Sequence, residues 1–270
     1  MSPLTYLSYY VEPSFRIGSL QIHYYGIIIA LTILLAVYIT LKRAHHYGVP
    51  KDQVETLFAW ALIPMVVGAR LYHVFSSWQY YLRHPMEIAM LWNGGLGIYG
   101  AIAGAIIGLY FGSRQLGLKL IRVLDMLAPV LLLGQGIGRW GNFLNQEGYG
   151  PPADHWLKIY IDVDHRPLQY LADDFYHPSF FYESALDLIG VVFLFILARK
   201  SNHQAPIFGA YLVIYGTIRF LVEFARWDTA NWNGIRIAHL ISVGIIILGL
   251  ILVYLRQKHI DYKPETPSKA

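Results

Sequence analysis

The sequence predicts an all-α polytopic membrane protein of about seven transmembrane helices, and three observations carry the prediction. Hydrophobic residues fill 56% of the 270 positions and charged residues only 14%, with a mean hydropathy of +0.41. A soluble domain is about a quarter charged, so this chain has too few polar side chains to cover a water-facing surface. Apolar runs recur along it, each long enough to cross a hydrocarbon core of ~30 Å as a helix of ~20 residues. Those runs, with 15% aromatics, exclude a disordered chain. The absence of cysteine excludes disulfides, thiolate metal sites and an internal cysteine nucleophile. The net charge is +4 and no basic run is interleaved with aromatics, so no nucleic-acid partner is expected.

In chain order, residues 1–19 hold Glu12, Pro13 and Arg16 and lack a basic start followed by an apolar core. No cleavable signal is expected there, and the first span serves as an uncleaved signal-anchor. Spans are expected at 20–41, 54–76, 88–112, 121–139, 184–198, 207–226 and 236–255. The third carries Gly100, Gly104 and Gly108, the small-xxx-small spacing of close helix approach. Residues 141–183 form the one long connection, with Pro151, Pro152 and scattered aspartates. They are expected to make a small extracytoplasmic subdomain, inserted in a single integral membrane domain covering 1–270. Charge sets the orientation. With the N-terminus outside, inner segments carry twelve of the 21 Lys and Arg residues and outer segments seven, Arg70 and Arg219 lying inside spans. The positive-inside rule therefore favours N-terminus out and C-terminus cytoplasmic.

Charges within spans are costly and usually face a cavity. Arg219 lies in the sixth span, in Tyr211-x3-Tyr215-x3-Arg219-x3-Glu223-x2-Arg226, a spacing that keeps these side chains on one helical face. Two readings are open: an Arg219–Glu223 pair neutralising itself in a bundle, or a polar stripe lining a cavity where Arg219 meets an anion. Counted from residue 207 at 1.5 Å per residue, Arg219 lies ~18 Å up, in the outer half of the membrane. Arg139, Arg70, Tyr25 and Tyr99 also fall at or above the midplane, so polar groups from five spans agree in depth. A guanidinium is always charged and its planar fork fits phosphate, so arginines just below the outer surface suggest a lipid phosphate. Snorkelling is the competing account; it fits Arg226 well, Arg139 in part and Arg219 poorly.

Two other patterns carry less. Gly136-Ile137-Gly138-Arg139-Trp140-Gly141 passes the dinucleotide pattern GxGxxG, with Asp162 about 20 residues on. It follows an apolar helix containing Pro129 rather than a strand, so no nucleotide is expected. His155, His165 and His177 match no metal-ligand spacing and read as solvated loop histidines, so no metal is expected.

The densest polar run is Gly138-Arg139-Trp140-Gly141-Asn142-Phe143-Leu144-Asn145-Gln146-Glu147-Gly148-Tyr149-Gly150. Here the chain resembles the prolipoprotein diacylglyceryl transferases, whose signature G-R-x-G-N-F-x-N-x-E-x-x-G is filled at all eight fixed positions. The likeness extends to His23-Tyr24-Tyr25-Gly26, Gly68-Ala69-Arg70, Trp92-Asn93-Gly94-Gly95-Leu96 and Asp125-x2-Ala128-Pro129. It continues in His177-Pro178-Ser179-x2-Tyr182-Glu183 and Tyr215-Gly216-x2-Arg219-x3-Glu223-Phe224-x-Arg226.

The resemblance implies a multi-pass enzyme of the bacterial cytoplasmic membrane with an outward-facing site and no cofactor. Its reaction would move the diacylglyceryl group of phosphatidylglycerol to the lipobox cysteine thiol of a prolipoprotein signal peptide. A thioether forms and glycerol 1-phosphate is released, the first step of lipoprotein maturation. On matching positions it implies that Arg139 and Arg219 bind the phosphate and that Tyr25, Asn142, Glu147 and Gly150 have functional roles. Glu223 would hold Arg219 in place, and Arg70 would add to substrate binding. Tyr99 stands where the family has a proposed catalytic histidine, and His239 replaces a glutamine. Tyrosine, with a pKa of ~10, is a poor general base near neutrality, which adds weight to activation of the thiol by the arginine field. From another class, the alternative is an anion channel or transporter using the intramembrane arginines; the chain has no internal repeat of the kind that builds duplicated transporters.

Overall fold

The computed structural model describes residues 2–9, 12–18, 20–91, 94–201, 205–227 and 231–261. Along the chain run α1 (Pro3–Ser8), β1 (Ser14–Ile17), β2 (Leu20–His23), α2 (Tyr24–Arg43), α3 (Lys51–Ser76), α4 (Trp78–Arg83), α5 (Ile98–Gln115) and α6 (Leu120–Leu144). Then follow β3 (Ile159–Tyr160), β4 (Phe175–Tyr176), α7 (Ser179–Lys200), α8 (Ile207–Val222), β5 (Asn231–Trp232), β6 (Ile235–Arg236) and α9 (Ile237–Asp261). Among the described residues the strands form three two-stranded antiparallel pairs, β1–β2, β3–β4 and β5–β6. Six helical segments are long and apolar enough to cross a membrane: Tyr24–Tyr47, Lys51–Ser76, Leu120–Leu144, Ser179–Lys200, Ile207–Ala225 and Ile237–Arg256. Of the positions singled out in the sequence, Trp92 and Asn93 lie outside the described residues, as do Lys263 and Lys269, two of the twelve basic residues counted on the inner side.

The third expected span, 88–112, is displaced. Its first part is a 3-10 turn over Pro85–Ala89, and Gly94 and Gly95 take positive φ values of 79° and 76° that no continuing helix allows. The helix starts only at Ile98 and has 18 residues. The fourth and fifth spans are longer than their apolar runs. Helix α6 continues to Leu144 and α7 begins at Ser179, so the connection is 145–178 rather than 141–183. Phe143 and Phe180 explain both extensions. They are buried in one apolar cluster with Leu4, Tyr149, Ile159, Ile161 and Tyr176, and Trp140 packs against it. These anchors hold the polar helix ends in register where hydropathy alone would stop.

The packing divides into two compact units, Met1–Ala36 with Leu127–Ala270, and Val37–Met126. In the second, α3 and α5 approach through the glycine stripe. A Cβ on Gly100 would strike the Gly68 carbonyl, one on Gly104 the Pro64 carbonyl, and one on Gly108 the Trp60 carbonyl. Proline at 64 removes the N–H that would have bonded the Trp60 carbonyl, and Gly108 packs onto that freed oxygen. In the first unit, Ala128 and Leu132 of α6, Val191 and Leu194 of α7, and Ile207 and Tyr211 of α8 share a core. Residues 145–178 are an ordered subdomain of this unit. Ile159 pairs with Tyr176 and Tyr160 with Phe175. The Gln146 amide clasps Asp162, donating to Oδ2 and accepting from the backbone N–H, both at 2.6 Å. Helix α1 is tied on by the bond from the Tyr160 N–H to Ser8 Oγ at 2.8 Å.

Candidate active site

Three helices of the first unit bring Arg139, Glu183 and Arg219 together. Arg139 lies near the end of α6, Glu183 in the first turns of α7, and Arg219 in the last turn of α8. Glu183 is 1% exposed and bridges both cations: Arg139 Nη2 donates to its Oε1 at 2.6 Å and Arg219 Nη1 to its Oε2 at 2.8 Å. Arg219 Nη2 also donates to Glu223 Oε2 at 3.3 Å, which is the i,i+4 pair expected from the sequence. The backbone carbonyl of Glu223 accepts from Arg236 Nη1. Two buried carboxylates thus balance two guanidiniums, and removing one member of such a set costs several kcal/mol because it strands the others.

The brace does not exhaust the cations. Of five N–H donors on each guanidinium, Arg139 uses one and Arg219 two in the bonds above. The rest have no protein partner among the described residues. Arg139 and Arg219 side chains are 24% and 18% exposed, so the free donors are reachable yet sheltered from bulk water. Sheltered donors of fixed geometry suit a singly charged phosphodiester. One turn along α7, Asp187 is fully buried, and neither of its carboxylate oxygens has a hydrogen-bond partner among the described residues. It lies against Gly136 of α6, where a Cβ would come 3.1 Å from its own Cβ.

The other expected residues of this unit flank the brace. Tyr25 packs on α6 at Gly141, where any Cβ would strike its ring. Asn142 Nδ2 and Asn145 Nδ2 donate to Glu147 Oε1 at 3.1 and 3.3 Å, so Glu147 closes the end of α6 and is not bonded to an arginine. Gly150 is a junction. Its N–H donates to the His177 carbonyl at 2.8 Å, and a Cβ there would strike the Ala225 carbonyl and lie 2.8 Å from His177 Cβ and Ser179 Oγ. Ser179 Oγ in turn donates to the Ala225 carbonyl at 2.5 Å. The signature glycine therefore ties the head of α7 to the 3-10 turn Glu223–Ala225 that follows α8.

Arg70 and Tyr99 belong to the second unit. All five Arg70 donors meet backbone carbonyls: Nε that of Ile88, Nη1 those of Gly94 and Gly95, and Nη2 those of Glu87 and Met90. The tandem left-handed glycines turn two of those carbonyls toward it. Arg70 thus ties residues 87–90 to Gly94 and Gly95 and has no donor left for an anion, which departs from the expected substrate contact. Tyr99 opens α5 at 62% exposure, with its ring 5.6 Å from that of Tyr72 and no hydrogen bond to its hydroxyl among the described residues. The Gly136–Gly141 pattern is helical throughout. His155 and His177 are not separately solvated; their rings meet, with His155 Nε2 and His177 Nδ1 3.0 Å apart. Among the described residues no three His, Asp or Glu side chains converge as metal ligands.

Glu183 is the residue missed as a site member, although it was visible as the last position of the His177-Pro178-Ser179-x2-Tyr182-Glu183 run. Its partners lie 44 and 36 residues away, so no local spacing announces the pairing. Comparison with known proteins places the chain as a whole. The profile of the prolipoprotein diacylglyceryl transferases matches residues 13–255. A phosphatidylglycerol–prolipoprotein diacylglyceryl transferase of Acaryochloris marina is 35% identical over 266 residues, 96% of this chain and 97% of the relative. Relatives of the same name from Staphylococcus saprophyticus and Bacillus cereus are 36% and 34% identical, covering 93% and 90% of this chain and 92% and 91% of their own lengths. The chain belongs to the prolipoprotein diacylglyceryl transferase family.

Proposed function

We propose that the chain transfers the diacylglyceryl group of phosphatidylglycerol to the lipobox cysteine thiol of a prolipoprotein, acting as one membrane-embedded domain of the bacterial cytoplasmic membrane with its site facing outward. The observation that carries this to particular residues is the Arg139–Glu183–Arg219 brace, which leaves guanidinium donors free for a phosphate. The cysteine sulfur, as thiolate, bonds to the glyceryl carbon as the bond from that carbon to the phosphate oxygen breaks. The electron pair leaves with glycerol 1-phosphate, and the thiol proton passes to water or a nearby base. A diester with one negative charge becomes a monoester with a second, so charge grows on the leaving group along the reaction. Fixed cations beside it bind the transition state more tightly than the lipid, which is the condition for catalysis.

In this reading Arg139 and Arg219 hold the phosphate, while Glu183 and Glu223 hold the arginines. Tyr25, Asn142 and Glu147 border the same end of α6 and contact the substrates there. Gly150 acts by tying the head of α7 to the turn after α8, and Arg70 by tying residues 87–90 to Gly94 and Gly95. The same positive field lowers the cost of forming a thiolate, whose free pKa is ~8.5, and this reduces the demand on Tyr99 as a base. The test is the purified chain in phosphatidylglycerol liposomes with a lipobox peptide. Glycerol phosphate release that requires the peptide cysteine, and stops with a Cys→Ser peptide, is expected. Anion flux without peptide, and no release with it, would overturn the proposal for the channel alternative.

A further inference from the structure

The His155–His177 pair sits at the root of the helix that carries Glu183, and its hydrogen bonds fix the protonation of both rings. His155 Nδ1 accepts the Leu157 N–H at 3.1 Å, so the proton of that ring is on Nε2. Nε2 faces His177 Nδ1 at 3.0 Å and must donate to it. His177 Nδ1 is thereby an acceptor, and the Tyr182 hydroxyl completes the cluster, 3.3 Å from His177 Nδ1 and 3.5 Å from His155 Nε2. Every one of these bonds uses a neutral imidazole. A proton on either acceptor nitrogen removes a bond and sets a cation against a donor.

What the pair holds is the head of α7. His177 donates its N–H to the Pro151 carbonyl at 3.1 Å and accepts from Gly150 at 2.8 Å, two residues before the helix starts. Tyr182, the third member of the cluster, immediately precedes Glu183 in the chain. We propose that His155 and His177 are positioning residues: as a neutral pair with Tyr182 they seat Glu183 between the two arginines, and acid unseats it. The charged and titratable groups around the pair are few. Asp154 adjoins His155 but is engaged by Lys158 at 2.6 Å, and Tyr182 contributes its hydroxyl. Among the described residues no carboxylate is hydrogen-bonded to either ring. Burial and the neighbouring His155 ring hold His177 below the ordinary histidine range. A histidine depressed in the folded state supports that state fully above its free value of ~6.5 and loses its contribution as pH falls through the lowered one. A pair facing outward would meet that pH range directly.

The proposal rests on the phosphate-clamp reading only for its effect on catalysis, so the primary readout is structural. Hydrogen–deuterium exchange of amides 179–185, corrected for the intrinsic pH dependence, is measured on the full chain in phosphatidylglycerol nanodiscs. As pH falls from about 7.5 to about 5, exchange at the head of α7 is expected to rise, since acid favours the released state that binds the proton more readily. His155→Lys should show the acid pattern already at neutral pH, and His177→Gln should abolish the pH difference. In the transferase assay, the ratio of acid to neutral kcat should rise toward one in His177→Gln, with KM for the lipid less affected. Protection of 179–185 in the unaltered chain that is equal at both pH values would overturn the proposal, whether or not the chain is a transferase. Acid-sensitive exchange that survives intact in His177→Gln would overturn it as well.

Discussion

Replacing Arg219 with lysine keeps the charge and removes the fork, which separates position from electrostatics. Arg219 contacts two carboxylates from two nitrogens, at 2.8 Å to Glu183 and 3.3 Å to Glu223. One ammonium gathers its donors at a single point and cannot reproduce the spread of the two nitrogens that meet the carboxylates while a further donor faces a phosphate. Each hydrogen bond to a charged group is worth about 1.5–3 kcal/mol, and ~1.36 kcal/mol is a factor of ten in rate. Losing one such bond in the transition state should therefore slow transfer by about tenfold to somewhat over a hundredfold. Arg139→Lys should fall in the same range for a different reason. Its bond to Glu183, at 2.6 Å, can be remade by lysine, but the free donors offered to the phosphate cannot. Lysine is the cleaner variant, because a neutral residue would strand Glu183 and Glu223 with one cation and cost ~3–5 kcal/mol in folding. The assay is diacylglyceryl transfer to a lipobox peptide at matched protein levels, alongside thermal unfolding. Rates within about threefold of the unaltered chain for both variants would refute the clamp.

Gly150→Ala places a methyl against the Ala225 carbonyl, His177 and Ser179; overpacking of this kind costs about 1–3 kcal/mol, so a lower unfolding temperature and a reduced kcat are expected. Arg70→Lys offers three donors where five carbonyls now accept, so at least two lose their protein donor; stability should fall while KM for phosphatidylglycerol holds, and a selective rise in KM would return Arg70 to the binding site. Tyr99→Phe removes a hydroxyl with no partner among the described residues, so its loss of rate should be far smaller than that of Arg139→Lys; an equal loss would return proton transfer to Tyr99. A reporter fused after Lys200 should be cytoplasmic and one within 155–175 external, and the reverse would overturn the outward-facing site.

The helices were legible because hydropathy and length are properties of contiguous residues, and the glycine stripe of α5 because small-xxx-small spacing is local. Boundaries failed where long-range packing decides. Asn142 and Glu183 look like loop residues by polarity, yet Phe143 and Phe180 bury together and keep both helix ends wound. The Arg219–Glu223 pair could be read from an i,i+4 spacing, whereas the Glu183 bridge joins three helices and has no local signature. By sequence Arg70 reads as an anion ligand, because an intramembrane arginine demands partners; that those partners are the carbonyls of 87, 88, 90, 94 and 95 is hinted at only by Gly94-Gly95. The histidines of 155 and 177 are 22 residues apart and meet only through the subdomain's own fold.

The central claim is that this chain makes a carbon–sulfur bond at the expense of a phosphate leaving group. Mass spectrometry of a lipobox peptide incubated with the purified chain and phosphatidylglycerol vesicles tests it most directly. A diacylglyceryl adduct is expected on the cysteine, one that survives neutral hydroxylamine, as a thioether does, and appears in equal amount with glycerol phosphate. An unmodified peptide, or an adduct that hydroxylamine removes as it removes a thioester, would contradict it.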